Sequence, residues 1–190
     1  MEWTGLNIAC GLNWEGTAAV SEHRISESQP LWYAFVTRPR HEKKARLSLD
    51  GAGIENYLPI RSVLRQWKDR RRWIEEPLFS CYIFARIAYN RRWDVLTSPS
   101  IVRIVSFNHT PAPVREEEIE TIRRILTTGV EVEVQPGLLP GTQVRISSGP
   151  LAGLEGMLMG QRGEKFFVVH IPAIGKSVLV SMGDNIVEAV

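Results

Sequence analysis

The sequence predicts an α+β domain followed by a small all-β domain, and three observations lead to this fold class. Aromatic and β-branched runs at 31–36 and 79–87 alternate with helix-like segments in the first two thirds of the chain. From residue 141 onward, short extended runs are separated by glycine or proline. Eight of the 15 glycines fall between 141 and 183. Each glycine inside a helix costs about 1 kcal/mol relative to alanine, which disfavours a helical second domain.

Each element of the first domain follows from its periodicity and from the signals at its ends. The run 31–36 is predicted to be a strand, and Pro39 precedes a helix over 42–50 that Gly51 ends. The elements predicted after it are an extended segment at 54–60, a basic hairpin at 62–74, a strand at 79–87, a short helix at 90–98, a strand at 101–107 and a helix at 116–126. The last helix begins with acidic residues and has Arg124 near its end, which matches the helix dipole.

These patterns divide the chain into four parts. Residues 1–30 show no period and are predicted to be a mobile tail, and an N-terminal domain follows over 31–127. Residues 128–140 contain two glycines and two prolines, which predicts a linker, although 130–134 alternates like a strand. The C-terminal domain spans 141–190 and is predicted to form a small barrel. Its strands are predicted at 142–146, 156–159, 165–171 and 177–180.

The formal net charge of +2 hides a strong asymmetry along the chain. Residues 31–114 contain 15 basic and 7 acidic side chains, a local charge of +8, whereas 1–30 and 115–137 each have −3 and 138–190 are neutral. A local excess of this size favours a nucleic-acid partner. The alternative is an ordinary solvated surface. The basic side chains form three groups: Arg38, Arg40, Lys43, Lys44 and Arg46; Arg61, Arg65, Lys68, Arg70, Arg71 and Arg72; and Arg91, Arg92 and Arg103.

The basic hairpin also contains two tryptophans. Trp67 and Trp73 lie on either side of its charged tip. An indole ring there could stack on a nucleic-acid base, which contributes roughly 1–3 kcal/mol per base. Packing across the two strands of the hairpin is the alternative, and we expect packing rather than stacking.

The strand at 79–87 presents two apolar faces. Alternation places one set of side chains together on the first face: Phe79, Cys81, Ile83, Ala85 and Ile87. The second face presents Tyr82 and Phe84. One apolar face serves the sheet's own core. The second is either covered by a helix or forms an exposed docking patch, and aromatic side chains are enriched where proteins bind proteins.

The sequence contains no signal of catalysis or of cofactor binding. The four histidines have no metal-ligand spacing with Cys10 and Cys81. No phosphate-binding loop, dinucleotide fingerprint or nucleophile elbow occurs. We therefore expect a protein that is not an enzyme and that binds no metal. Two isolated cysteines fit a reducing cytoplasm, and no apolar run approaches the roughly 18 residues that would predict a membrane span.

Three segments resemble the NusG family of transcription factors: residues 32–38, 76–84 and 144–156. The resemblance covers nearly all of 31–190. It implies a NusG N-terminal domain, an antiparallel sheet flanked by helices, followed by a five-stranded SH3-like KOW domain. Among family members the chain is most similar to specialised paralogs, RfaH and especially the UpxY-type antiterminators of capsular polysaccharide operons. This closer similarity rests on residues 63–70 and 147–153.

The resemblance implies two binding sites in the N-terminal domain. The residues that match an apolar depression for the clamp helices of RNA polymerase's largest subunit are Val36, Phe79, Tyr82 and Phe84. Those that match contacts to non-template DNA in the transcription bubble are Arg38, Arg40, His41 and Lys44, and the hairpin charges add Lys68, Arg70, Arg71 and Arg72. We expect the rings of Tyr82 and Phe84 to stand outward together.

In the second domain, the resemblance to a KOW motif rests on Val144, Ile146, Gly149, Gly153, Gly156 and Ile174. Turn and barrel geometry alone explains the glycines. Ile174 stands where the family commonly has a phenylalanine that contacts partners such as Rho or a ribosomal protein.

The first domain departs from the family pattern at Ser80 and Cys81, where the family usually has Pro-Gly or Pro-Asn. The form of the turn that enters the strand predicted at 79–87 is therefore left open.

Together these features predict a monomeric, cytoplasmic factor that binds RNA polymerase and suppresses pausing or termination on polysaccharide-biosynthesis operons. Two alternatives stay open. One is a housekeeping elongation factor of the same family that couples to Rho or the ribosome. The other is a free-standing nucleic-acid-binding module that acts without polymerase.

Overall fold

The computed structural model describes residues 28–66, 70–137, 141–161, 164–182 and 187–189. Nearly all of the predicted tail therefore lies outside the described residues, and so do Trp67 and Lys68 at the hairpin tip. The described chain forms two main antiparallel sheets, one on either side of residue 130. None of the helices in this part of the chain is long and apolar enough to cross a membrane.

The first sheet is built around two long strands. β1 (Pro30–Thr37) pairs with β5 (Tyr82–Ala88), and the short strands β2 (Asn56–Tyr57), β6 (Ile101–Ile104) and β9 (Pro113–Val114) complete the sheet. The strand order is β2-β5-β1-β6, and β9 also pairs with β1. Because β1 lies inside the sheet and both sheet faces are covered, its sequence is apolar on both sides.

Two helices cover one face of this sheet. α1 (Glu42–Gly51) and the short α2 (Arg92–Leu96) pack against Tyr33, Phe35 and Ile83. The helix over 42–50 was predicted from its spacing of alanine and leucine, and the structure ends it one residue later. Its buried side chains include Ala45 and Leu49, as the spacing requires.

The third helix covers the opposite face. α3 (Glu116–Thr127) begins where the Trp32 indole N–H donates a 3.0 Å hydrogen bond to a Glu116 carboxylate oxygen. Further along, the Arg123 guanidinium lies over two rings, 5.6 Å from the centre of Trp32 and 4.9 Å from that of Tyr57. Burial raises the pKa of Tyr57 to about 12, with Glu120 adding to this rise and the Arg123 charge opposing it. These contacts fix α3 on the sheet.

Two hairpins project from the first domain. The basic hairpin predicted over 62–74 consists of β3 (Ile60–Gln66) and β4 (Arg71–Pro77), which pair only with each other among the described residues. The single strand predicted over 101–107 is instead divided into β6 and β7 (Ser106–Phe107). β7 pairs with β8 (Thr110–Pro111) through a turn whose two central residues both have positive φ, a geometry typical of tight hairpins.

The second sheet has six strands in the order β10-β14-β13-β12-β11-β15. They are β10 (Val132–Pro136), β11 (Thr142–Ile146), β12 (Glu155–Gln161), β13 (Glu164–Ile171), β14 (Lys176–Ser181) and β15 (Val187–Ala189). The predicted linker at 128–140 thus contains a strand of the second sheet, because Val132 buries its side chain there and pairs with Val180. Closure of this sheet into an SH3-like KOW barrel stays a prediction.

The strand predicted over 79–87 begins later than expected. The Tyr82 N–H bonds to the Phe79 carbonyl at 3.3 Å, and Cys81 has a φ of 66°. This turn interrupts the alternation on which the assignment of faces depended. Phe79 therefore packs on the same side as Phe84, with their ring centres 6.0 Å apart, rather than on the side of Ile83.

The left-handed backbone at Cys81 leads to a stability prediction. A side chain with a Cβ is strained in this region by about 1–2 kcal/mol, and glycine is not. We expect Cys81→Gly to raise the free energy of unfolding by up to about 1 kcal/mol, since glycine's greater flexibility in the unfolded chain offsets part of the relief. Urea denaturation would measure it. Ser80→Gly, at a neighbouring position without positive φ, should not be stabilising, and equal gains at both positions would contradict this explanation.

Candidate functional site

The apolar side chains predicted to bind polymerase come together at one end of the first sheet. The register places Val36 opposite Tyr82 and Ala34 opposite Phe84. Val36 and Tyr82 are half-buried and pack on a core that contains both Phe79 and Phe84. The four predicted residues therefore do form one cluster. Its half-exposed part consists of Val36 and Tyr82, which we call the Tyr82 patch.

The expectation that Tyr82 and Phe84 both stand outward is wrong for Phe84. Phe84 is 0 % exposed and Phe79 only 1 %. The small Ala34 opposite Phe84 leaves room for its ring, and the isoleucines of α3 belong to the same buried cluster. Phe84 and Phe79 are thus core residues beneath the patch. They can support a docking surface but cannot be part of the free surface itself.

A basic loop over residues 38–41 lies at the same end of the sheet. The Arg38 N–H donates to the Ser100 carbonyl and the Thr37 N–H to the Cys81 carbonyl, both at 2.9 Å. Arg40 has a left-handed φ of 63°. The side chains of Arg38, Arg40 and the nearby Lys44 are exposed, and none forms an ion pair with any residue that the structure describes. These three predicted DNA-binding residues are free to meet phosphates.

A buried carboxylate connects the basic loop to the Tyr82 patch. Glu42, at the start of α1, accepts a 2.8 Å hydrogen bond from the Cys81 N–H through its side chain. His41, the fourth predicted DNA-binding residue of this segment, is half-buried, and its Nδ1 lies 3.0 Å from the Pro39 carbonyl oxygen. The loop and the patch are therefore held in a fixed relation by backbone and side-chain bonds.

On the basic hairpin, the predicted residues are less uniform. Arg70, Arg71 and Arg72 are exposed. Arg61 and Arg65 instead bind Glu76, at 2.7 Å and 3.1 Å. Partial burial acts to raise the pKa of the Glu76 carboxyl, but hydrogen bonds and charges from these two arginines outweigh it and lower that pKa. One carboxylate thus holds two of the hairpin's basic side chains, whereas Arg71, Arg72 and the basic loop present exposed cations that form no ion pair with the described residues.

The residues of the second domain that were predicted to form a KOW motif have structural roles. Val144 and Ile146 are buried, and the Gly153 N–H bonds to the Ile146 carbonyl at 2.7 Å. Gly149 and Gly153 have φ values of 88° and 84°, which a side chain rarely adopts. At Gly156 the sheet is tightly packed, since a Cβ would lie 2.6 Å from the Phe167 ring and 2.8 Å from the Val168 carbonyl oxygen.

Two glycines of β12 provide a matched test of this packing. Gly156→Ala should lower the free energy of unfolding by about 1–3 kcal/mol, because backbone and a buried ring must move to admit the methyl group. At Gly160 an added Cβ meets nothing within 4 Å, so Gly160→Ala is expected to be neutral or slightly stabilising. Thermal and urea denaturation would compare them. Equal effects at the two positions would contradict the close approach at Gly156.

Ile174, the residue predicted to contact a partner, is buried. It ends a single 3-10 turn, Pro172–Ile174, that lies against β9 of the first domain. Nearby, the Arg124 side chain of α3 donates a 2.7 Å hydrogen bond to the Ala152 carbonyl of the second domain. The two domains therefore pack together on the α3 side, and sequence patterns within either domain gave no signal of this contact.

His170 of β13 lies beside this contact and gives a pH prediction. Its Nδ1 is 3.0 Å from the Ser177 hydroxyl, which donates to the Gly137 carbonyl. Burial lowers the pKa of His170, against opposing effects of the Glu118 charge and of backbone hydrogen bonds to Gly137 and Lys176.

The unfolded chain thus binds a proton at His170 more readily than the folded chain does. The free energy of unfolding should therefore fall as the pH drops below about 6.5, and His170→Gln should reduce that fall. Urea denaturation at about pH 7.5 and 5.5 would measure it. A fall as steep in His170→Gln as in the wild type would contradict the assignment of this pH dependence to His170.

The chain is similar to known proteins over the residues that form this site. Residues 30–123 match the family described as "Transcription termination factor nusG". The "Transcription termination/antitermination protein NusG" of Pseudomonas aeruginosa strain PAO1 is 25 % identical over 173 residues, covering 84 % of this chain and 98 % of that protein. Over residues 30–123, nearly the whole first domain, the chain is thus similar to the NusG family. The matched residues include the Tyr82 patch, the basic loop and most of α3.

Solved structures are also similar to this chain. The structure "Domain interaction in Thermotoga maritima NusG" is 23 % identical with a TM-score of 0.49, and the match covers 86 % of this chain and 99 % of that one. The "Crystal Structure of MjSpt4:Spt5 complex conformation B" is 12 % identical with a TM-score of 0.29, over 84 % of this chain and 98 % of that one.

Proposed function

We propose that this protein is a transcription elongation factor that binds RNA polymerase and suppresses pausing or termination. The observation that supports this most is the placement of the half-exposed Tyr82 patch beside exposed, unpaired cations within a NusG domain. An apolar surface of this kind fits a partner's helix, here the clamp helices of polymerase's largest subunit. The adjacent basic loop suits the non-template DNA strand. Binding, rather than catalysis, is the activity.

The apolar patch and the basic loop would have different roles. Burial of Val36 and Tyr82 would fix the factor on the polymerase, because covering an aromatic side chain contributes about 1.5–3 kcal/mol. Arg38, Arg40 and Lys44 would hold the single strand by charge. A factor anchored at both points keeps the transcription complex closed, which disfavours pausing.

Copurification tests this function directly. The full chain, with a tag, should retain core RNA polymerase from its host in buffer of moderate salt. The free-standing nucleic-acid module makes the opposite prediction, namely oligonucleotide binding with steep salt dependence and no polymerase in the eluate. That result would overturn the proposed function.

We further propose that the protein is a specialised paralog that acts on polysaccharide-biosynthesis operons. The similarity of 63–70 and 147–153 to UpxY-type antiterminators supports this. Genome-wide occupancy should place the protein on a few operons, whereas a housekeeping factor would follow polymerase over most genes. Broad occupancy would favour the second candidate, an elongation factor coupled to Rho or the ribosome.

Recruitment of Rho or a ribosomal protein would fall to the second domain. The position of Ile174 supports this only in part, because its side chain is buried and its turn contacts β9 of the first domain. Ile174 would have to become exposed before it could touch such a partner.

A further inference from the structure

The two faces of the basic hairpin have different chemistry. Strand alternation and the β3–β4 register place Arg61 and Arg65 on one face together with Glu76. On that face the carboxylate binds both guanidinium groups, and Arg61 also donates a 2.9 Å hydrogen bond to the Val132 carbonyl. Most of the charged side chains on this face therefore bind partners within the protein.

The opposite face is apolar and open at its centre. Leu64 and Trp73 lie directly across from each other, yet Leu64 is 45 % exposed and Trp73 is 71 % exposed. Packing across the strands, which the sequence favoured, thus leaves most of the indole ring in solvent. A cross-strand pair with so little burial contributes little to the stability of a two-stranded ribbon.

One cation beside this face, Arg71, is available. Gln66 and Arg71 form the next pair toward the tip, and Arg71 makes no ion pair with any described residue. At the other end of the same face, Glu75 binds Lys43 of α1 at 3.7 Å. Glu75 is the single acidic side chain among the described residues of this face, and it is therefore already paired. The face continues onto a helix with further lysine and arginine side chains.

We propose that this face of the hairpin, formed by Leu64, Gln66, Arg71 and Trp73, stacks an unpaired base of single-stranded nucleic acid. The Trp73 ring would lie on the base and the Arg71 guanidinium would meet a phosphate. In a duplex both faces of each base are already stacked, so an exposed ring of this kind selects single strands. The basic surroundings favour nucleic acid over an apolar protein partner. This inference deepens the proposed function, on which it rests.

Fluorescence anisotropy with a labelled single strand of about 12 nucleotides tests the proposal. Trp73→Ala should weaken binding roughly 5- to 100-fold, whereas Trp73→Phe should retain most of the affinity. Trp93→Ala is the matched control, because Trp93 is 64 % exposed on α2, away from the hairpin, and should have no effect. A duplex of the same sequence should be bound equally by the wild type and by Trp73→Ala.

Salt dependence separates the two contacts. Arg71→Ala should reduce the slope of log affinity against log salt by about one unit, while Trp73→Ala should lower affinity without changing the slope. The proposal is overturned if Trp73→Ala binds the single strand as tightly as Trp93→Ala. Equal losses for single strand and duplex would overturn it too.

Polymerase copurification in parallel keeps this result distinct from the proposed function. Trp73→Ala should still retain polymerase. If it loses polymerase but not oligonucleotide affinity, the face binds protein and the proposal fails. If the wild type binds no polymerase, the proposed function fails while the stacking result is judged on the oligonucleotide data alone.

Discussion

Replacing Val36 and Tyr82 together with alanine is expected to weaken RNA polymerase binding by at least about tenfold while the protein stays folded. The two side chains contribute the half-exposed apolar surface at the end of the first sheet. Loss of about 1.5–3 kcal/mol of burial in the complex accounts for a factor of roughly ten to a hundred. Copurification or a competition assay with core polymerase would measure the change.

The matched control is Val102→Ala. Val102 is an exposed valine on the neighbouring strand β6 and lies outside the cluster beneath Tyr82. Its replacement should leave polymerase binding unchanged. The double variant should have the far-ultraviolet circular dichroism of the wild type. If it then binds polymerase as tightly as the wild type, the Tyr82 patch is not the binding site.

Phe84→Ala should instead be a stability variant with the largest effect on folding that we predict. Its ring is fully buried and contacts Phe79 edge to face. Replacing a core phenylalanine with alanine typically lowers the free energy of unfolding by 3–5 kcal/mol, of the order of half of a small domain's stability. Urea denaturation, followed by tryptophan fluorescence, would give the value.

Phe107→Ala is the control for this prediction. Phe107 is 58 % exposed on the β7–β8 hairpin, so its removal should change stability by no more than about 0.5 kcal/mol. If Phe84→Ala proved as mild as Phe107→Ala, the buried placement of Phe84 would be wrong. In that case the Phe84 ring would stand outward beside Tyr82, as the sequence analysis expected, and the docking patch would be larger.

Local patterns were sufficient for the elements whose signals do not depend on distant contacts. The apolar run in β1, the alanine and leucine spacing of α1 and the acidic start of α3 each predicted an element that the structure confirms. The hairpin β3–β4 was also predicted, because its basic run lies between two extended segments. The cluster of Val36, Phe79, Tyr82 and Phe84 followed from the family resemblance rather than from periodicity.

The failures depend on tertiary contacts and on backbone geometry. Nothing in the alternation of β5 indicates that α3 covers Phe84 but leaves Tyr82 half-exposed. Cysteine is not a residue from which positive φ would be expected, so the left-handed backbone at Cys81 and the side on which Phe79 packs were missed. Ile174 is buried in a turn that contacts a strand of the other domain, and no pattern within its own segment could indicate that contact.

Photo-crosslinking from position 82 would show whether the Tyr82 patch binds RNA polymerase. Tyr82 is replaced by benzoylphenylalanine, which keeps an aromatic ring at the site, and the protein is irradiated in an assembled elongation complex. We expect a crosslink to the clamp helices of the largest polymerase subunit, and none from the same residue placed at Phe107. A crosslink from position 107 but not from 82, in a complex that still contains the protein, would contradict this expectation.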